Sequence, residues 1–520
     1  MNNPAKNIFE QMFFAGLLLF AASLPLSMFM MSVSQFIILG GWLLQGNFSI
    51  RLRQAFSNKA VWILCSVYVL HLIGLIYSAD YAYAFKDLRV KLPLLLLPVL
   101  FASSTPLTNR QLNILLTVFI SATFISTFIS YLIYLDVIHK PIRDIRDISV
   151  FISHIRLSLF VCIAVYAALW LLKQSSLLFK ILLLTVIVWF IFFLILIESM
   201  TGLGILTITL VVVFLKYIIS NTSLALKIIT VLIFIAAGIF SYQYIDKIWI
   251  RINTVNKDEL LHLKKNTAEG NVYLHDTLKT DSENGHLIWI NLCENEMRPA
   301  WNKRSHLPYD SLNLKGDELR MTIIRYLTSK GAAKDGAAID NLSKKEITAI
   351  EKGVANVDDL HTFGIRSRIR ATLWEIYQYQ HFNNPGGHSL AMRFEFWKTA
   401  FSIISDHPFT GVGTGDVPTA FKNKYDELKS PLAPQYRLRA HNQYLTVAIA
   451  LGIPVLLWFI LSLIFPGILL NRYNHFLYFT FWLTAMMSMI TEDTLETQAG
   501  VSFFAFFNGV YLFLLAKNDK

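Results

Sequence analysis

Twelve stretches of this chain are apolar over a length close to that of a membrane crossing: near 8–24, 27–46, 60–78, 92–104, 111–135, 155–172, 178–198, 203–219, 226–245, 442–469, 474–491 and 498–516. A bilayer core about 30 Å thick needs about 20 apolar residues at 1.5 Å per residue. Backbone polar groups in hydrocarbon must be satisfied within the segment, so such runs fold as helices. The chain is therefore expected to be an all-α polytopic membrane protein with about 12 transmembrane helices. The fourth run is short and follows LRVKLP, which leaves eleven or thirteen open. A long polar stretch separates the ninth and tenth runs and divides the chain into 1–245 (helices 1–9), 246–441 (a loop domain) and 442–520 (helices 10–12). Lys6 precedes the first run and no clear small-residue cleavage site follows it, so that run reads as a retained span.

Composition agrees: 54% of the 520 residues are hydrophobic and only 16% charged, which excludes an ordinary soluble enzyme. The net charge of +11 comes from cations at the ends of apolar runs. They form no stripe interleaved with aromatics, so no nucleic-acid partner is expected. Instead they orient the chain. With the N-terminus inside, Arg51, Arg53, Lys59, Arg110, Lys173, Lys180, Lys216, Lys227, Arg472, Lys517 and Lys520 all fall on the cytoplasmic side. Both termini are then cytoplasmic and 246–441 faces the other side. Cys65, Cys162 and Cys293 offer neither a disulfide framework nor a metal knuckle.

Two outer loops break the orientation rule. One carries Lys86, Arg89 and Lys91; the other carries Lys140, Arg143, Arg146 and Arg156. Cations kept outside against the bias suggest an anionic ligand, with pairing to Asp80, Asp87, Asp136, Asp144 and Asp147 as the structural alternative. Arg156 lies about a turn inside the sixth helix, where a charge is costly unless it is paired, faces a cavity or snorkels. Glu198, in the turn ESMTGLG, is read as an ion-pair partner ahead of a catalytic base.

Within the large loop, HLIWINLC is the one plausible strand, and Trp289, Trp301 and Tyr309 can build a small core or meet sugar. Residues 316–382 read as helices, with Ser343 and Glu346 forming a capping box. HSLAMRFEFWKTAFSIISDHP is an amphipathic helix that carries the candidate Arg393, with Phe394, Trp397 and Phe401 as packing residues. GVGTGD at 411–416 reads as a close-packed backbone turn rather than a nucleotide loop.

The stretch Arg437-Leu-Arg439-Ala-His441-Asn442 returns the chain to the membrane. Helical spacing would put Arg437 and His441 on one face and turn Arg439 away, with Pro431 and Pro434 limiting how early a helix can begin. Arginine forks match phosphates and stabilise charge on a leaving diphosphate, and a nearby histidine can accept the proton of an attacking hydroxyl. A donor activated in this way demands no cofactor and no metal.

These residues resemble the O-antigen ligase family. Its signature is a histidine followed by Asn, Ser or Gln, then nine residues and a glycine, matched here by His441-Asn442, QYLTVAIAL and Gly452; a final Gly, Thr or Tyr is replaced by Val455. RFEFWKTAFSIISDHPFTGVGTGD is similar to the stretch before the family histidine, and LRMTIIRYLTSKGAAKDG with LSKKEITAIEKGVAN resembles Bacteroidetes members. The resemblance implies that His441 is the base that activates the acceptor and that Arg156 binds diphosphate. The family has a second arginine after the seventh span, in a Ser-Arg setting. Here Ser199 is followed by Met200, so Arg89, Arg393, Arg437 or Arg439 would supply that charge, with Asn442 beside them. The implied reaction is inverting and metal-independent. It moves a glycan from undecaprenyl diphosphate to a lipid A-core hydroxyl at the periplasmic face of the inner membrane. Alternatives are an O-antigen polymerase, a ligase with a protein acceptor, a transporter or flippase, and a receptor or scaffold built on the loop.

Overall fold

A computed structural model of the protein describes residues 4–142, 144–360, 365–383, 385–387 and 389–516. Arg143, Lys517 and Lys520 lie outside the described residues. The fold is mostly helical and divides into two compact units. One comprises Met1–Lys140, Arg146–Tyr217 and Pro385–Lys520; the other comprises Pro141–Ile145 and Ile218–Asn384.

Among the described residues six helices are long and apolar enough to cross a membrane: Asn109–Tyr134, His154–Leu172, Leu177–Leu196, Met200–Ser220, the helix that begins at Leu224, and Gln443–Leu469. Ile8–Ser23, Lys59–Gly74, Phe476–Thr491 and Gln498–Leu514 are shorter apolar helices. Met28–Leu44 and Phe48–Ser57 would make a seventh span together, but they are bent by 114°. The bend falls at Gly46 (φ 70°) and Asn47 (φ 55°), a left-handed pair that glycine and asparagine tolerate. Arg51, just past it, is buried instead of solvated: Nη1 donates to Trp42 O at 2.6 Å and Nε to Ser103 O at 3.3 Å.

Helix starts follow local chemistry. Thr108 and Gln111 close a capping box at the head of Asn109–Tyr134, satisfying two amides that the helix leaves orphaned. His154–Leu172 is the most enclosed candidate span, 78% buried, with Ser153 as its N-cap. The Gln443–Leu469 helix is interrupted at Gly452 (φ 84°). Pro454 has no N–H and its ring crowds the carbonyl four residues back, so Ala450 O loses its helical donor. Residues 408–413 repair the break from outside. Gly413 N–H donates to Ala450 O at 2.9 Å, Val412 N–H to Ile449 O at 2.8 Å, and Ile453 N–H to Pro408 O at 2.8 Å.

The GVGTGD segment is therefore a packing device, as its sequence suggested. A Cβ on Gly411 would lie 2.4 Å from Ala450 C, and Gly413 holds φ 101°. Thr414 Oγ1 donates to His71 O at 2.7 Å, and the Asp416 carboxylate accepts the amides of Ala79 (2.7 Å) and Asp80 (2.9 Å).

In the second unit the Leu224–Asn253 helix precedes a small domain whose core contains Met297, Trp301, Tyr309, Ile323, Tyr326 and Ile350. Trp301 and Tyr309 thus form core. Trp289 is partly buried under Lys279 Nζ, 4.4 Å from its ring. HLIWINLC yields only a two-residue strand, His286–Leu287, paired with Ser282–Glu283; Ile288 and Ile290 serve the core without a ladder. Helices Leu319–Ser329, Lys344–Glu351 and Ile365–Phe382 match the expected helical stretch, and the capping box at Ser343 and Glu346 is present.

Candidate functional site

His441 is not helical. A 3-10 turn ends at Tyr436, the residues to Asn442 are irregular, and His441 holds φ 46° before Asn442 caps the Gln443–Leu469 helix. The helical-face expectation for Arg437 and His441 therefore fails, because Asn442 supplies the cap at this point and no earlier turn forms. Its side chain accepts Leu445 N–H at 3.1 Å. Left-handed backbone is uncommon for histidine and is tolerated where surroundings fix it. Here Trp397 Nε1 donates to Ala440 O at 3.0 Å, and the Phe396 ring lies 5.7 Å from the imidazole.

Across from this stretch stands Glu492-Asp-Thr-Leu-Glu496, the turn between Phe476–Thr491 and Gln498–Gly509. It grips three consecutive residues. Glu492 Oε2 lies 3.8 Å from His441 Nδ1. Asp493 Oδ1 accepts Asn442 N–H at 2.9 Å and Thr446 Oγ1 at 2.8 Å. Gln443 Nε2 donates to Glu496 Oε1 at 3.0 Å, while its Oε1 accepts Leu495 N–H at 2.6 Å.

Cations from other elements meet the same turn. Arg393 Nη2 pairs with Glu492 Oε1 at 3.0 Å. Arg439, expected to point away, donates to Tyr83 OH (2.8 Å) and Glu496 Oε2 (3.2 Å). Lys91, 1% exposed, pairs with Asp87 at 2.5 Å and Glu496 at 2.9 Å, so Asp87 does neutralise a lysine of the Lys86, Arg89 and Lys91 group. Arg156 is 6% exposed rather than snorkelling; Nη2 donates to Asp493 O at 3.1 Å, and buried Nη1 has no hydrogen-bond partner among the described residues.

Electrostatics follow this pairing. Burial pushes the Glu492 carboxyl up, but His441, Arg156 and Arg393 outweigh it and hold the group below the usual range. Burial likewise raises Glu496, and Lys91, Arg439 and the Gln443 bond reverse the shift, leaving it lowered. For Asp493 burial prevails and its carboxyl is raised.

A cavity of about 850 Å³ opens beside the histidine, walled by Tyr83, Lys86, Phe421, Lys422, Arg437, Arg439, His441, Asp493 and Glu496 among others. Arg437 is held on this wall by Asp426, 2.5 Å away, and by Leu432 O. The structure thus brings Arg156, Arg393, Arg439, His441 and Asn442 to one acidic turn and puts Arg437 on the cavity wall. Arg89 lines a separate apolar groove. Among the described residues, no group of three or more His, Cys, Asp or Glu is placed to hold a metal ion.

Sequence reasoning missed Glu492, Asp493 and Glu496. The signal was present: TEDTLE puts three acids between two apolar runs.

Comparison of the chain with curated proteins returned no match. The family model described as O-antigen ligase matches residues 348–460, a segment that holds Arg393, Arg437, Arg439, His441, Asn442 and Gly452. Over that segment, about a fifth of the chain, the protein is similar to the O-antigen ligase family.

Proposed function

We propose that the protein is an inverting glycosyltransferase of the bacterial inner membrane, transferring a glycan from undecaprenyl diphosphate to a hydroxyl of lipid A-core. In this reading the chain crosses the membrane about twelve times, both termini are cytoplasmic and the 246–441 loop is periplasmic. The observation that carries the proposal is His441: it lines the cavity with its Nδ1 toward a buried carboxylate, and an arginine with an unpaired Nη1 meets the same acidic turn.

In the proposed step the acceptor hydroxyl attacks the anomeric carbon from the face opposite the diphosphate and gives its proton to His441 Nε2. The new glycosidic C–O bond forms as the bond to the diphosphate oxygen breaks, and the electron pair leaves with the diphosphate. Arg156 receives that developing charge, with Arg393 in place of the arginine that Met200 replaces. Glu492 holds the imidazole in orientation, and Asn442 and Arg439 keep the histidine and the acidic turn in register. Arg437 shapes the acceptor's wall. No step calls on a metal or a cofactor.

Purified protein supplied with a lipid-linked glycan and lipid A-core tests this. Wild type should yield glycosylated lipid A-core and His441→Ala should not. Product from a correctly folded His441→Ala protein would overturn the role of the base. Glycan that lengthens on its own carrier would show polymerisation instead.

A further inference from the structure

A second cavity, about 390 Å³, shares the lining residue Val90 with the reaction cavity and lies between Met28–Leu44, the Tyr81–Ala102 region and the start of the last helix. Leu92, Leu96 and Leu100 make one apolar wall and Phe36, 73% exposed, makes another. Its one charged lining residue is Arg89, which is exposed and has no ion pair among the described residues. Both neighbouring cations of the Tyr81–Lys91 helix are accounted for otherwise: Lys91 is buried against Asp87 and Glu496, and Lys86 lines the reaction cavity. Val90 borders both cavities.

Ser32, Gln35 and Gln498 also line the groove, Gln498 Nε2 donating to Ser32 Oγ at 2.7 Å. A largely apolar trough with a lone guanidinium fits a hydrocarbon chain that ends in a phosphate. We infer that this groove seats an acyl chain of the acceptor glycolipid, with its phosphate on Arg89 and its sugar passing Val90 into the cavity of His441. This rests on the transferase reading above and adds to it a separate place for the second lipid. The donor's diphosphate meets Arg156, whereas the acceptor is anchored at Arg89 of the Tyr81–Lys91 helix. Charge complementarity selects a phosphorylated lipid, and adjacency to the cavity of His441, shown by the shared wall residue Val90, selects a substrate over a bystander.

The test is binding, which is independent of turnover. Protein in phosphatidylcholine nanodiscs is titrated with a phosphorylated, acylated glucosamine disaccharide and with its dephosphorylated form. Wild type should prefer the phosphorylated form by about tenfold, as one charge-assisted contact allows. Arg89→Gln should abolish that preference, and Phe36→Trp, which fills the trough from an exposed position, should weaken both forms. His441→Ala should bind as wild type does, so failure of the chemistry and failure of the groove are read separately. The proposal is overturned if Arg89→Gln keeps the preference, or if phosphatidylglycerol displaces the glycolipid at equal concentration.

Discussion

Glu492 Oε2 and His441 Nδ1 stand 3.8 Å apart, too long for a full hydrogen bond and short enough to become one when substrate closes the site. Glu492→Gln keeps the shape and removes the charge. Turnover is expected to fall on the order of 10²-fold, with a loss of 10² to 10⁴ for His441→Ala. Steady-state rates on purified protein check both.

Glu492 also sets a pH dependence. Its folded-state pKa is depressed, so its carboxylate contributes stability above the ordinary glutamate range and loses it as pH falls through the depressed value. Arg393→Ala removes one of the cations responsible. The acid limb of activity and stability should then move to higher pH, measured as a rate profile and as thermal unfolding below about pH 6. No shift would remove Arg393 from the site.

Arg156→Lys keeps a charge but loses the planar fork, and Arg156→Ala loses both. If the unpaired Nη1 receives a diphosphate, kcat/KM for the donor should drop by about 10² to 10³ in the alanine variant, with partial recovery in the lysine variant. Full activity in either would exclude the role.

Gly452→Ala tests the broken helix. A Cβ there would lie 2.2 Å from Phe409 O and adopt φ 84°. Strain and overpacking together should cost about 2–5 kcal/mol. Gly46→Ala, also at positive φ but with open space around it, should cost only about 1 kcal/mol. Thermal melts in detergent separate the two.

Lys91→Met leaves Asp87 and Glu496 buried without their shared cation, a change expected to cost about 3–5 kcal/mol. The fraction folded after heating measures it. Asp87→Asn combined with Lys91→Met should recover part of the loss, because one uncompensated charge is then gone.

Much of the fold is legible because its rules are local. Apolar length marks the helices, Ser343 and Glu346 announce a cap three residues apart, and the glycines of 411–415 announce a close approach. The candidate site is only half legible. His441 and Arg156 can be proposed from motif resemblance and from the cost of burying charge. The residues that grip them, Glu492 to Glu496, lie about fifty positions from His441 and 337 from Arg156 in the Asp493 contact, with no spacing rule to connect them. The course of 437–442 was misread because helical periodicity was extended through a stretch whose geometry is fixed by tertiary partners: Asp426 for Arg437, Tyr83 and Glu496 for Arg439, and Phe396 beside His441.

The repaired break in the Gln443–Leu469 helix also gives the nine-residue interval between Asn442 and Gly452 a meaning. One end is pinned by the acidic turn and the other by Pro408–Gly413, so the intervening helix works as a ruler about 14 Å long. Inserting a single residue would lengthen it by about 1.5 Å and rotate one anchor by about 100° against the other, since a turn takes 3.6 residues. Both anchors could not then engage together. Side chains along the interval can vary with their packing, whereas its length cannot.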